Sequence, residues 1–228
     1  MEKFWLLITC MVSFGVIGWS AKGLYLTNEK ELFNIGAILL IAMALRYLTL
    51  VFYALVRNPL IIESLRYFYY ASSIGLTMLT VCGIWFIIPF LNERFKVSQL
   101  LLFFLPWISF YVYLILKQPT ELIERMAYGY ELVLIPPFDR YLAIVQGSFM
   151  VVIGILAGIG LIRYKHLQIR VQLAILLLAQ GLLIIDGIYS GKENLLLFKL
   201  FTISEIFGLW TIGYAFWHPM RRLHSVHK

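Results

Sequence analysis

The chain has 228 residues, of which 61% are hydrophobic and only 14% are charged. This composition excludes a soluble domain of the same size, because such a domain needs far more polar surface in contact with water. The formal net charge of +7 indicates anionic lipid headgroups as neighbours, and we expect no nucleic-acid partner.

Seven apolar stretches are each close to the length of about 20 residues that a helix needs to cross the hydrocarbon layer. They lack the alternation of apolar and polar residues that is typical of membrane β-barrels, so we expect helices. The predicted fold is all-α, a single seven-transmembrane-helix bundle over residues 1–228 in the cell membrane. The predicted spans are Phe4–Ser20, Leu32–Val56, Tyr67–Leu91, Ser98–Leu116, Tyr141–Ile162, Arg170–Tyr189 and Leu195–Trp217.

Two residues, a tryptophan and a proline, affect the predictions for the first and fourth spans. Trp19 disrupts the small-residue pattern of a signal-peptide cleavage site, so we expect the first segment to remain as a span. Pro106 lies near the middle of the fourth span and predicts a kink, because proline cannot donate the helical hydrogen bond.

Small residues predict close helix packing in two of the spans. These are the third span, with Ser73, Thr77 and Thr80 on one face, and the fifth span, with Gly154 and Gly158. The longest loop runs from Lys117 to Arg140. Within this loop, Thr120 predicts the N-cap of a short amphipathic helix that continues through Met126 on the membrane surface.

The distribution of basic residues predicts the orientation, since Lys and Arg in short loops favour the cytoplasm. Seven spans place ten Lys and Arg on the side of the C-terminus and seven on the other side. We therefore expect the N-terminus outside and the C-terminus in the cytoplasm. The stretch Asp139–Tyr141 then lies at the external surface, so its match to the motif at the cytoplasmic end of the third helix of rhodopsin-like receptors is accidental.

Four ionisable residues lie within the predicted spans, where a charge costs about 2.5–3.5 kcal/mol at the bilayer centre. Arg46 in the second span and Glu205 in the seventh each lie ten residues from the predicted outer end, a depth of about 15 Å. Asp186 in the sixth span and Lys199 in the seventh lie only about 5–6 Å deep. The depths therefore predict two layers, each with one acid and one base.

Polar residues near these charges predict a cavity that opens to the outer face. Arg46, Thr49 and Tyr53 fall within an arc of about 60° on one helix, and Gln146 of the fifth span lies near the expected mouth. The predicted ligand-binding residues are Arg46, Thr49, Tyr53, Gln146, Gln180, Asp186, Lys199 and Glu205. Three interpretations remain, namely two structural ion pairs, a ligand pocket, and a path for ions or protons.

Nothing in the sequence predicts a cofactor or a metal site. The tail contains His218, His224 and His227, but their spacing is not typical of a zinc site. A basic anchor for lipid headgroups is the expected role of this tail.

The number, order and lengths of the spans resemble the seven-helix sensor region that precedes some bacterial histidine kinases. The stretches that carry the resemblance are GAILLIAMALRYLTLVFYAL, SLRYFYYASSIGLTMLTVCGIWFIIPFL and YELVLIPPFDRYLAIVQG. The resemblance implies ligand reception at the outer face and signalling inward. No kinase domain or phosphoacceptor segment follows here, so we expect the output to pass through a separate membrane or cytoplasmic partner protein.

The leading hypothesis is a non-enzymatic membrane sensor of bacterial type that binds a small ligand or peptide in an outward-facing cavity and acts through a partner protein. The alternative is a transporter or permease subunit in which Arg46, Glu205, Asp186 and Lys199 form a charge relay. An intramembrane enzyme is the least favoured class, because the spans offer two carboxylates and no set of metal ligands.

Overall fold

The computed structural model describes residues 2–125, 129–189 and 201–217. Within these ranges the chain forms ten helices and one two-stranded antiparallel sheet. The helices are α1 (Glu2–Leu26), α2 (Lys30–Leu55), α3 (Pro59–Tyr69), α4 (Ala71–Ile87), α5 (Pro89–Arg94), α6 (Val97–Phe103), α7 (Leu105–Lys117), α8 (Phe138–Arg163), α9 (Leu167–Tyr189) and α10 (Phe201–Trp217). The strands are β1 (Thr120–Arg125) and β2 (Gly129–Leu134).

Five stretches of the described chain are helical, long and apolar enough to cross a membrane, and the bent pair of α6 and α7 forms a sixth if it counts as one span. The five stretches are Lys3–Leu26, Lys30–Leu55, Leu60–Ile87, Phe138–Arg163 and Leu167–Ile185. The last predicted span is described only from Phe201 onward. The chain therefore has the architecture of a polytopic helical membrane protein, while the count of seven and the orientation stay predictions.

Four helices surround the centre of the bundle. Helices α2 and α10 both pack against α1 and against α4, so that α2 and α10 occupy opposite corners of this group. Helix α9 packs on α10 and α8 packs on α9. The Leu60–Ile87 span, which contains α4, is the most enclosed of the five. Within an apolar 18-residue stretch of each span, 78% is buried in this one, against 17–44% in the other four.

A glycine in α4 accounts for part of this enclosure. A Cβ atom added at Gly75 would lie 2.8 Å from the backbone oxygen of Leu39 and 2.9 Å from Cγ of Met43. The backbones of α2 and α4 thus approach at a distance that only glycine permits, as is common between membrane helices.

The kink predicted from Pro106 is confirmed. The fourth predicted span divides at Phe104 into α6 and α7, which bend by 68°. Pro106 occupies the first turn of α7, where the missing N–H has no helical partner to lose.

The surface helix predicted to begin at Thr120 is wrong, because this loop forms β1 and β2. The register pairs Thr120 with Leu134 and Leu122 with Leu132, which places these four side chains on one face of the hairpin. Thr120 and Leu132 are buried, and the apolar residues of this face pack on Tyr53 and its neighbours at the end of α2. The fold is therefore not entirely α-helical. The physical reason is that apolar residues spaced two apart in this loop favour strands.

We call the end of the bundle that carries the hairpin the hairpin side and the other end the opposite side.

Close packing at Gly154 and Gly158 was predicted and is wrong for the described part of the chain. A Cβ atom added at either glycine would meet no atom within 4 Å. The close approach occurs instead at Gly160, where an added Cβ atom would lie 2.8 Å from Leu173 and 2.9 Å from Ile88. The small-residue spacing identified the correct helix but not the face that contacts its neighbours.

We expect Gly75→Ala to lower the free energy of unfolding by about 1–3 kcal/mol, because the new methyl group forces α2 and α4 apart. Gly154→Ala is the matched control, since it adds the same methyl group in open space and changes stability by no more than about 1 kcal/mol. Denaturant titration of both variants in detergent micelles measures the difference. Equal effects would contradict the close contact between α2 and α4.

Candidate functional site

The centre of the bundle contains a buried ion pair between α2 and α10. Nη2 of Arg46 lies 3.0 Å from Oε1 of Glu205, and both side chains are 4% exposed. Because α2 and α10 occupy opposite corners of the central four helices, the pair bridges the interior of the bundle. The pairing predicted from the equal depth of these residues is confirmed.

Two tyrosines add hydrogen bonds to this ion pair. Nη1 of Arg46 donates to the backbone oxygen of Tyr69 at 3.2 Å, and the guanidinium lies 4.5 Å from the centre of the Tyr69 ring. The hydroxyl of Tyr47 donates to Oε2 of Glu205 at 3.3 Å. Such contacts offset the cost of removing two charges from water.

The break between α3 and α4 explains why Tyr69 can accept this bond. Helix α3 ends at Tyr69, and Tyr70 forms the turn before α4. The last carbonyl groups of a helix have no partner within that helix, so the turn provides an acceptor inside the bundle. A continuous third span, as the sequence predicted, would use the same carbonyl in its own hydrogen bonds.

Next to the ion pair lies a cavity of about 50 Å³, which we call the Glu205 cavity. Its walls come from α4, α7, α8, α9 and α10. The lining residues are Ser72, Ser73, Leu76, Thr77, Tyr111, Gln146, Phe149, Gln180, Leu183, Ile184 and Glu205. Three of the predicted ligand-binding residues, Gln146, Gln180 and Glu205, are among them.

The depth of the Glu205 cavity follows from the positions of its two glutamines. Gln146 lies eight residues after the start of α8 and Gln180 lies nine residues before the end of α9. At 1.5 Å per residue, both lie about 12–14 Å from the hairpin-side ends of their helices. The cavity therefore lies well inside the layer that the helices would span.

One buried hydroxyl group in the cavity wall, that of Ser72, which is 2% exposed, lacks a hydrogen-bond partner among the described residues. The hydroxyl of Tyr111, which is fully buried, lies within reach of the side-chain amide of Gln146 in the same wall. By contrast, Nε2 of Gln180 donates to Oγ1 of Thr80 at 2.7 Å. A buried polar group without a partner costs about 1–3 kcal/mol, so the Ser72 hydroxyl is suited to a bound polar molecule.

The size of the cavity limits what it can hold. A cavity needs about 10–15 Å³ of such space to hold one water molecule, so about 50 Å³ admits a few waters or a ligand of a few heavy atoms. Pockets for drug-sized molecules are roughly 300–1,000 Å³. A small ligand matches this volume better than a peptide does, and both forms of the hypothesis stay predictions.

Two other predicted residues are not brought to the cavity. Thr49 is buried, and its hydroxyl donates to the backbone oxygen of Leu45 at 2.8 Å. Tyr53 is 1% exposed, and its ring stacks on that of Tyr69 with the centres 6.2 Å apart. Tyr53 thus belongs to the cluster beneath the hairpin. Arg46 reaches the cavity only through its contact with Glu205.

The second predicted ion pair lies outside the described part of the molecule. The backbone of Asp186 is in α9, but its side chain is not described, and Lys199 lies outside the described residues. Their roles in ligand binding or in a relay stay predictions.

Tyr47, Ser72 and Tyr111 were missed by sequence reasoning. Tyr47 follows Arg46 directly but lies about 100° further around the helix. Its contact with Glu205, which also binds Arg46, was therefore not expected. Ser73 and Thr77 were assigned to helix packing, although both lie near the depth of Glu205, which could have indicated a shared polar site. The position of Tyr111 depends on the bend at Phe104, whose direction no spacing reveals.

In the described ranges, no group of three His, Cys, Asp or Glu side chains comes together in a way that could hold a metal ion. No family model matches the chain, and no curated protein sequence matches it. The resemblance to the sensor region of bacterial histidine kinases therefore stays a prediction.

We expect Arg46→Met and Glu205→Leu each to lower the free energy of unfolding by about 3–5 kcal/mol, because each leaves one buried charge without its partner. The double variant is expected to lose less than the sum of the two, since it leaves neither charge. A double-mutant cycle measured by unfolding in detergent micelles tests this coupling. Strictly additive losses would show that the two side chains do not interact.

Proposed function

We propose that this protein is a membrane sensor that binds a small polar ligand in the Glu205 cavity and acts through a partner protein. The observation that carries the proposal is the combination of the buried, unpartnered hydroxyl of Ser72 with the carboxylate of Glu205 in one cavity wall. Burial of a hydroxyl group without a partner is unfavourable, and a bound polar ligand would satisfy it.

The composition of the lining supports a ligand with both donor and acceptor groups. The hydroxyl groups can donate and accept, the amide groups of Gln146 and Gln180 offer both, and Glu205 offers an acceptor. Because Arg46 already balances the charge of Glu205, a neutral molecule or a small monovalent cation is favoured over an anion. Simple amides, alcohols and ammonium compounds are candidates of this size and chemistry.

The contacts around Glu205 provide a route by which binding could change the structure. A ligand that bonds to Glu205 would compete with Arg46 and Tyr47 for the carboxylate oxygens. Any movement of Arg46 would reach Tyr69, which holds Arg46 and stacks on Tyr53 under the hairpin. A ligand would shift these contacts toward one arrangement only if it binds that arrangement more tightly than the other.

The direction of signalling rests on the predicted orientation. In that orientation the hairpin side faces outward, and the loops rich in Lys and Arg on the opposite side face the cytoplasm. The partner protein would then contact this opposite side. The five helices that line the cavity would transmit a change at the cavity to this partner, because each helix runs from the level of the cavity toward one or both faces of the membrane.

A transporter or permease subunit is the second candidate. It is favoured by the position of Glu205, which belongs both to the ion pair with Arg46 and to the wall of the cavity. A carboxylate that exchanges between an internal cation and a solute is a common element of intramembrane relays.

Thermal unfolding of the purified protein with a panel of small amides, alcohols and ammonium salts tests the sensor proposal. We expect at least one compound to raise the unfolding temperature of the wild type, and this increase to disappear in Ser72→Val, which removes an unpartnered hydroxyl and fills part of the cavity. Without a ligand, Ser72→Val is expected to be at least as stable as the wild type, because it removes an unsatisfied buried group.

Thr49→Val is the matched control for this experiment. It removes a buried hydroxyl from the neighbouring helix α2, but that hydroxyl bonds to its own helix and lies outside the cavity. The control should keep the full response to the active compound. A response that Ser72→Val keeps, or that Thr49→Val loses, would contradict binding in the Glu205 cavity.

Flux measurements in proteoliposomes separate the transporter from the sensor. If the chain is a carrier, an imposed pH gradient or a gradient of the active compound should decay faster with wild-type protein than with empty vesicles, and Glu205→Gln should abolish the difference. For the sensor we expect no flux above that of empty vesicles, with the ligand response in detergent unchanged.

A further inference from the structure

A second cluster of polar groups lies at the opposite side of the bundle, around Phe90. The guanidinium carbon of Arg163 lies 4.7 Å from the centre of the Phe90 ring, and that of Arg94 lies 5.6 Å from the same point. The hydroxyl of Tyr164 accepts a hydrogen bond from the backbone N–H of Phe90 at 2.9 Å. We call these four residues the Phe90 cluster.

The two guanidinium groups come from distant parts of the chain and are held on one aromatic ring. Arg94 is in the last turn of α5, and Arg163 is the last residue of α8. Since each guanidinium carbon is within 6 Å of the ring centre, cation–π attraction holds both near it. Two like charges thus lie around one aromatic ring at this end of the bundle.

No carboxylate neutralises these charges within the described ranges, where neither Arg94 nor Arg163 forms an ion pair. The Tyr164 hydroxyl accepts from Phe90, so its own proton is available for donation. The cluster therefore presents two forked cationic donors and one hydroxyl donor. Phosphate is the anion whose geometry matches paired guanidinium groups best.

The position of the cluster relative to the bilayer indicates which phosphate it meets. Helix α8 has 26 residues and is about 39 Å long, which exceeds the hydrocarbon thickness of about 30 Å. If α8 crosses the bilayer with its centre near the midplane, its final residue, Arg163, lies at the level of the headgroups. The loops on this side are also basic, with seven Lys and Arg against three Glu among the described residues.

An apolar row leads from Arg163 into the hydrocarbon layer. Ile159 and Ile155 precede Arg163 by four and eight residues on α8, so the three side chains follow one another along the same side of the helix. Ile159 is 52% exposed and Ile155 is 58% exposed. An acyl chain can lie along this row while the phosphate of the same molecule is bound by the guanidinium groups.

We propose that the Phe90 cluster binds the phosphate group of an anionic phospholipid. Arg94 and Arg163 would bind the phosphate oxygens, Tyr164 would donate a further hydrogen bond, and the Ile155–Ile159 row would contact an acyl chain. This site is separate from the Glu205 cavity, and it does not depend on the proposed sensor function.

Native mass spectrometry of the protein in a neutral detergent, with short-chain phosphatidylglycerol or with phosphatidylcholine of the same chains, measures this binding. We expect phosphatidylglycerol to bind more tightly than phosphatidylcholine. We expect Arg94→Gln/Arg163→Gln to weaken the binding of phosphatidylglycerol by about tenfold and to leave that of phosphatidylcholine unchanged.

Lys165→Gln/Arg170→Gln is the charge-matched control, because it removes two exposed basic residues from the same side of the bundle. It should weaken phosphatidylglycerol binding by less than about twofold. Size-exclusion profiles confirm that each variant is folded. If the first double variant does not fold, Arg94→Gln and Arg163→Gln are compared singly, with a loss of about threefold expected for each.

Three results would overturn the proposal. Equal losses in the two double variants would indicate diffuse attraction by the basic surface, and equal binding of the two lipids would indicate contact with the acyl chains alone. Complete displacement of phosphatidylglycerol by inorganic phosphate would indicate a site for soluble phosphate, without a contribution from the apolar row.

Discussion

The ion pair between Arg46 and Glu205 is the constraint on which the interior of this bundle depends. It joins helices at opposite corners of the central group, so the helices between them must leave room for two polar side chains. A buried charge is tolerated only if its partner and its hydrogen bonds are in place. Tyr47 and the carbonyl of Tyr69 supply two of those bonds, and the turn at Tyr70 exists at the position where that carbonyl is needed.

The same interaction connects the hairpin to the Glu205 cavity. Glu205 is a wall of the cavity, Arg46 holds Glu205, and Tyr69 links Arg46 to Tyr53 beneath the strands. These contacts form one continuous path from the surface to the middle of the bundle. A change at either end would alter the hydrogen bonds of a buried charge, so the path is suited to a membrane sensor in which a small ligand has a structural effect.

Sequence reasoning predicted what depends on length, depth and proline chemistry. Apolar stretches of membrane length, the break beside Pro106 and the pairing of Arg46 with Glu205 all follow from distances along a helix axis. The contacts of Thr49, Gly154 and Gly158 depend on how each helix is rotated against its neighbours, which one sequence does not fix. The hairpin was missed because Thr120 was interpreted as an N-cap, while the spacing of two between Leu132 and Leu134, which favours a strand, was not considered.

Infrared difference spectroscopy of the wild type against Glu205→Gln, in lipid vesicles, tests the central ion pair most directly. We expect Glu205 to contribute the bands of an ionised carboxylate in the wild type. In Arg46→Gln we expect these bands to give way to that of a carboxylic acid, because a carboxylate buried without its cation is strongly unfavourable. A carboxylic acid band in the wild type, or carboxylate bands that Arg46→Gln leaves unchanged, would contradict the ion pair as the interaction that organises this bundle.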